Sequence, residues 1–230
     1  MNETRSALII IDMEKGFVSP DSPFCIVNAE KTVKNCTKVI DKARTLDIPI
    51  FFVKRLYRGN GSDVEITRYQ KWKQKGMAMQ PSSTGNSSAE AYPGLAPKEG
   101  DYTIIKPRWS AFFATDLDLL LRRLDVDTII LMGTTTPNCI RTTAYDGNAL
   151  DYEVVVIEDG CSSQTAEIQK ANMDDMERMG AVIMDSESFC HHYSGVEPNK
   201  LEIRENIIQT TVVPETFEQT SGYMIKRDIW

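Results

Sequence analysis

Only two histidines, the adjacent His191 and His192, occur in 230 residues. Both lie far along the chain, so no histidine is placed to serve as the usual acid–base partner of a nucleophile or to build a histidine-rich metal site. Positive charge is short as well. Twenty-six Lys and Arg against 33 Asp and Glu give a formal charge of -7, with a pI near 5.0. No net positive field exists to gather nucleic acid or an anionic membrane, so neither is expected as a partner. Apolar runs stay well below the ~18 residues of a spanning helix, and the apolar stretch after Met1–Ser6 is too short for a signal peptide. Cys25, Cys36, Cys139, Cys161 and Cys190 form an odd set without metal-ligand spacing. Together these point to a reducing cytoplasm, with no metal. No repeat and no Gly-x-Gly-x-x-Gly is present, so nothing supports a dinucleotide, and no cofactor is expected.

What is present is an alternation of strand and helix signals, the pattern of an α/β domain: a three-layer α/β/α arrangement around a mostly parallel, six-stranded, Rossmann-like sheet. The predicted strands are 7–11, 48–53, 102–106, 128–132, 153–157 and 181–184. Between them, Val33, Cys36, Ile40, Ala43 and Leu46 recur at helical spacing over 29–46. Further helices are predicted from about Thr115 with Leu117, Leu120, Leu121 and Leu124 on one face, from Thr136 to Leu150, and over 165–179. Residues 57–101 are polar and glycine-bearing, including Ser82–Ser88, and read as an insertion that partly covers the site, with a short helix around 65–75. Trp72, Met77 and Met79 there would pack either over a small ligand or onto the domain body. The main domain is expected over 1–190. An extension over 191–230 would form an extra strand pair, close over the site, or reach a neighbouring subunit.

The chemistry centres on Cys139. The apolar run Thr128–Met132 leads through Gly133 into Thr134-Thr135-Thr136-Pro137-Asn138-Cys139. Thr136 suits an N-cap and Pro137 the first helical position, which sets Cys139 in the first turn, where main-chain N–H groups lack partners and the helix dipole is positive. A free cysteine is ordinarily a small buried hydrophobe. At such a turn its pKa is expected to fall from about 8.5 to roughly 3.5–7.5. Two other strand ends bear on it. Ala7–Ile11 ends in Asp12, and Tyr102–Ile105 ends in Lys106, held extended by Pro107. A loop aspartate and an exposed lysine are the ordinary readings of each alone. Delivered to one sheet edge with Cys139, they are the parts of a ligand site.

With these three motifs the chain resembles the isochorismatase-like cysteine hydrolases, which include nicotinamidases, N-carbamoylsarcosine amidases, and ureidoacrylate and biuret hydrolases. That family has an Asp after the first strand (often Asp-x-Gln-x-x-Phe), a Lys after the third and Gly-x-x-Thr-x-x-Cys after the fourth. Here Asp12–Phe17, Lys106 and Gly133–Cys139 match, as do Thr143–Gly147 and Tyr152–Asp159, and the likeness runs over roughly 5–190. It implies catalysis by Asp12, Lys106 and Cys139, a non-proline cis peptide between Thr134 and Thr135, and an oxyanion hole from the main-chain N–H groups of Thr135 and Cys139. It also implies a homo-oligomer, contacted in part by the tail. Phe17 and Trp109 are candidate aromatic walls. Arg55, Arg58 and Arg108 are candidate partners for a carboxylate, and Arg58 is the one assigned to substrate.

The implied activity is cysteine-dependent hydrolysis of a C–N bond in a small amide or ureido compound. Alternatives are a vinyl-ether hydrolase of the same fold, which does without the cysteine, and a non-catalytic small-molecule binder. Two departures stand out. Glu14 replaces the usual Gln, and the region after the second strand, Phe51–Asn60, lacks the histidines with which nicotinamidases hold a metal.

Overall fold

Six consecutive residues, Ser6–Ile11, are buried without alternation. That is the signature of a strand covered on both faces, and they form β1 at the middle of the sheet. The computed structural model describes residues 5–81, 89–195 and Asn206. The loop 82–88 and the extension expected beyond 195, Asn206 apart, lie outside the described residues. The described residues 5–81 and 89–195 belong to the first of two units.

In the first unit, α1 (Lys15–Val18) and α2 (Ala29–Thr45) follow β1, and β2 spans Ile50–Arg55. A 3₁₀ turn (Ile66–Arg68) runs into α3 (Tyr69–Gln74), after which come β3 (Tyr102–Lys106) and α4 (Leu117–Arg123). The second half comprises β4 (Thr128–Thr134), a π-helical turn (Thr136–Ile140), α5 (Arg141–Ala149), β5 (Glu153–Ser162), α6 (Ala166–Arg178), β6 (Val182–Met184) and α7 (Ser186–His192). All six strands are parallel, in the order β3-β2-β1-β4-β5-β6. Helices flank the sheet in the expected three-layer arrangement; α2 and α7 pack together on one side, α5 and α6 on the other. The strand order reverses between β1 and β4, and open α/β sheets bind their ligands at the carboxyl ends beside such a reversal.

The described parts of 57–101 pack more closely than their polarity suggests. Tyr57, Val64, Trp72, Ala78, Met79 and Ala89 form a second, small core. The Trp72 indole N–H donates to the Ala78 carbonyl at 2.7 Å, and the Tyr57 N–H to the Met79 carbonyl at 2.6 Å. Trp72 and Met79 therefore hold the insertion together, whereas Met77 is exposed. Lys15 and Tyr92 tie the return of the segment to β1's exit loop through main-chain bonds to Glu90 and Met13.

One glycine is decisive. Gly133 has φ of +121°, and a Cβ there would collide with the main chain of Ile11 on β1. No L side chain adopts that conformation readily. Gly133→Ala should therefore cost ~3 kcal/mol or more and lower the denaturant midpoint accordingly. An unchanged midpoint would mean that β1 and β4 can separate there at little cost.

Candidate active site

β1 ends at Ile11, and the next residue, Asp12, turns into the left-handed region (φ 53°) while its N–H stays bonded to Val53 on β2. Aspartate tolerates this backbone better than most residues. β3 is an edge strand with alternating burial, and its last residue, Lys106, is fully buried. The Lys106 ammonium donates to Asp12 Oδ2 at 2.8 Å, to the Arg108 carbonyl at 3.1 Å and to Cys139 Sγ at 3.4 Å. All three of its protons are thereby used, which is what a buried ammonium requires. Asp12 Oδ1 has no hydrogen-bond partner among the described residues. One carboxylate oxygen is thus fixed by the lysine and the other left open.

The turn after β4 differs from the sequence expectation by one residue. Thr135, in extended conformation, is the N-cap, and Thr136 is already helical. The Thr136 hydroxyl bonds the Ser162 carbonyl and Gln169 Oε1 instead of capping. The turn is wound as a π-helix, with the Ile140 N–H reaching the Thr135 carbonyl at 3.3 Å, before α5 begins at Arg141. The Thr134–Thr135 peptide is cis. Thr143 accepts from the Ala111 N–H and donates to the Cys139 carbonyl at 2.7 Å, which pins the turn to the loop after β3.

The expected low thiol pKa is not what this environment produces. Burial and the negative charge of Asp12 push the Cys139 thiol up, with Lys106 and Arg55 pulling the other way. The resting sulfur is a thiol facing a carboxylate, so a base has to take its proton.

Asp12, Phe17, Trp109, Thr134, Thr135 and Cys139 all line one cavity of about 330 Å³. Arg58 does not. It follows β2 by three residues and is exposed, its main-chain N–H donating to Asp63 and its carbonyl accepting the Gly61 N–H. The arginine at the site is Arg55, the last residue of β2, whose side chain is 2% exposed. Its Nη1 donates to Glu65 at 2.7 Å and Tyr57 at 2.9 Å, and its Nη2 stands 4.0 Å from Cys139 Sγ. Burial opposes the Arg55 charge, but Asp12, Cys139, Tyr57 and Glu65 outweigh it and hold the guanidinium protonated. The signal that exposes Lys106, a charge closing an apolar strand, also marks Arg55.

Metal binding after β2 finds no suitable donors. Arg55 and Tyr57 stand there, the Tyr57 phenol pushed up to about 12, mainly by burial. Among the described residues no group of three or more His, Cys, Asp or Glu could hold an ion. A site of the nicotinamidase type does not fit these side chains.

Glu14 is buried beside this cluster. Its Oε1 accepts the Arg55 N–H at 2.8 Å, and Oε2 has no partner among the described residues. Burial and then Asp12 raise its carboxyl well above the ordinary 4.5. The folded chain retains a proton that the unfolded chain releases, so stability declines as pH rises above about 4.5, through the folded-state pKa. A glutamine has no proton to lose. Glu14→Gln should therefore match the parent near pH ~4 and melt progressively higher than it toward pH ~8. Thermal melts across that range test this; a difference independent of pH would contradict it.

The Isochorismatase domain model matches residues 6–188. The chain belongs to the isochorismatase family. Among relatives of this family member, "Probable inactive nicotinamidase" of Arabidopsis thaliana is 36% identical over 178 residues, covering 76% of this chain and 90% of its own. The ureidoacrylate amidohydrolase RutB of Klebsiella variicola is 28% identical over 213 residues, 86% of this chain and 90% of its own. An isochorismatase family protein from Desulfovibrio vulgaris superposes with a TM-score of 0.76 at 39% identity, over 80% of this chain and 96% of that one. The family is one of hydrolases that includes amidohydrolases. No helix among the described residues is long and apolar enough to cross a membrane.

Proposed function

We propose that this isochorismatase-family chain is a cysteine amidohydrolase cleaving an amide or ureido C–N bond in a small molecule. The observation that carries the reading is the Lys106 ammonium bonded at once to Asp12 and Cys139 on the wall of a cavity of small-ligand size. Asp12, with Oδ1 open, takes the thiol proton as the sulfur attacks the carbonyl carbon. The oxyanion that forms is received by the main-chain N–H groups of Thr135 and Cys139. Collapse breaks the C–N bond, and Asp12 returns the proton to the departing nitrogen, leaving a thioester (a thiocarbamate, from a ureido group). Asp12 then deprotonates a water that attacks this acyl group, and the acid or carbamate leaves with the thiol restored. Lys106 stays cationic throughout and orients the carboxylate.

Support also comes from the ureidoacrylate amidohydrolase name borne by one relative. The word "inactive" in the plant relative's name belongs to that protein, and the reading here rests on the Asp12, Lys106 and Cys139 of this chain. The test is ammonia release from a panel of small amides, ureido acids and nicotinamide, compared with Cys139→Ala. Release by the parent and not the variant supports the reading. Equal release, or pyruvate from a vinyl ether with Cys139 dispensable, rejects it.

A further inference from the structure

The chain carries a net charge of -7, yet the cavity at Cys139 is lined by four cations, Arg55, Arg68, Lys71 and Lys75, and by one carboxylate, Asp12. That carboxylate is already paired with Lys106. Arg55 and Arg68 both lie over the Trp109 ring, with guanidinium carbons 4.9 and 4.6 Å from its centroid. Between these two like charges stands a single acid, Glu65, at 2.7 Å from Arg55 and only 3.9 Å from Arg68. Glu65 is committed further by the Tyr57 hydroxyl, 2.8 Å away. Lys75 is turned aside, donating to the Pro23 carbonyl at 3.0 Å. Lys71, on α3, is an exposed lysine at the cavity lining. Arg55 is buried and Arg68 half-buried, and two such guanidiniums sharing one carboxylate leave a positive charge to be met by something that enters the cavity.

We infer that the substrate carries a carboxylate, received by Arg68 and Lys71 from the segment that follows β2, with Arg55 keeping the path to the sulfur positive. This rests on Cys139 being the nucleophile and names the class of molecule offered to it: an amide or ureido acid instead of a neutral amide. Arg68, planar and stacked on Trp109, suits bidentate capture, and Lys71 adds a mobile point charge at the entrance. A positive cleft in an acidic protein also concentrates anions over neutral analogues before any contact forms.

The test uses two alkylating agents that differ chiefly in charge, iodoacetate and iodoacetamide, on the full chain with Cys25→Ser, because Cys25 lines the same cavity. Labelling of Cys139 is followed by peptide mass spectrometry, and the ratio of the two rates is divided by the same ratio for 2-mercaptoethanol. The expected normalised preference for iodoacetate is about tenfold at low salt, falling as salt is added. Arg68→Met with Lys71→Met should reduce it at least fivefold, whereas Lys98→Met, at an exposed residue outside the cavity lining, should leave it alone. A normalised ratio near one in the parent overturns the inference. A high ratio that survives the double substitution overturns the assignment to Arg68 and Lys71. Failure of the underlying nucleophile reading looks different: iodoacetamide would then label Cys139 no faster than the buried Cys36 and Cys161, and both proposals would fall.

Discussion

Asp12→Asn should abolish turnover and at the same time make Cys139 easier to alkylate at neutral pH. An amide of the same shape cannot accept the thiol proton, so the loss in kcat/KM is expected to be about 10⁴-fold, comparable to removing a base or orienting carboxylate elsewhere. Cys139→Ala should be at least as severe. The thiol moves the other way. Burial raises its pKa and the Asp12 charge raises it further, while Lys106 and Arg55 lower it. Neutralising Asp12 removes one raising influence and leaves both cations in place. The thiolate fraction at a given pH therefore increases. Iodoacetamide labelling of Cys139 across pH in parent and variant reads this directly. Were the variant's thiol to titrate at or above the parent's pKa, Asp12 would not be the group that holds the proton on sulfur. A structural role for Asp12 would lower activity and reactivity together; the base role separates them.

That split bears on what the sequence could and could not reveal. Asp12 and Cys139 are legible because each follows a short, buried apolar run stopped by a polar residue or glycine, and Lys106 because it closes an alternating edge strand just before Pro107. In a parallel sheet such stops necessarily gather at one edge. The protonation state of Cys139 was not legible. The helix-start argument considers only local N–H groups and the dipole, whereas the thiol responds to burial and to a carboxylate 127 positions away in sequence. The turn itself is wound as a π-helix, whose register no 3.6-residue period foretells.

Arg55 shows a different failure. The sequence pattern puts the second strand at 48–53, two residues early, which places Arg55 in the following loop and assigns the substrate to Arg58. The strand runs Ile50–Arg55, pairing Ile11 with Val53 and Arg55 with Lys106. Its final side chain therefore stands level with Lys106, and Arg58 falls outside. The predicted strand 153–157 falls short of β5, which runs Glu153–Ser162, for a related reason. Its polar stretch Glu158-Asp159-Gly160 looks like a turn, but after a register shift Cys161 and Ser162 pair with Gly133 and Thr134. Only the neighbour's bend makes that extension sensible. Helix α7 did leave a local signal, since Asp185 caps it by accepting the Ser188 N–H at 2.6 Å. The sequence pattern Asp185-Ser186-Glu187-Ser188 is a helix-start signal that the predicted elements, which stop at 184, leave out.

Lys106→Met should be the most destabilising single change at the site, and its damage should be recoverable without restoring activity. Lys106 and Asp12 have side chains 0% and 2% exposed and stand 2.8 Å apart. Removing the ammonium takes away the carboxylate's direct ion-pair partner and leaves only the more distant Arg55 guanidinium to balance it; breaking a buried pair in this way typically costs about 3–5 kcal/mol. A stranded carboxylate is costly only while it is ionised, so the variant loses stability as pH climbs past the ordinary carboxylate range. The deficit against the parent should accordingly be small near pH ~4 and full near pH ~8. Adding Asp12→Asn to Lys106→Met removes the stranded charge. The double variant should regain most of the denaturant midpoint at pH ~8, giving a coupling energy of about 2 kcal/mol or more. It should still show no ammonia release, because both the base and the cation that orients it are gone. A double variant no more stable than Lys106→Met alone would mean that the lysine supports the fold by packing, through its stem and the Arg108 carbonyl it holds, and not by balancing Asp12.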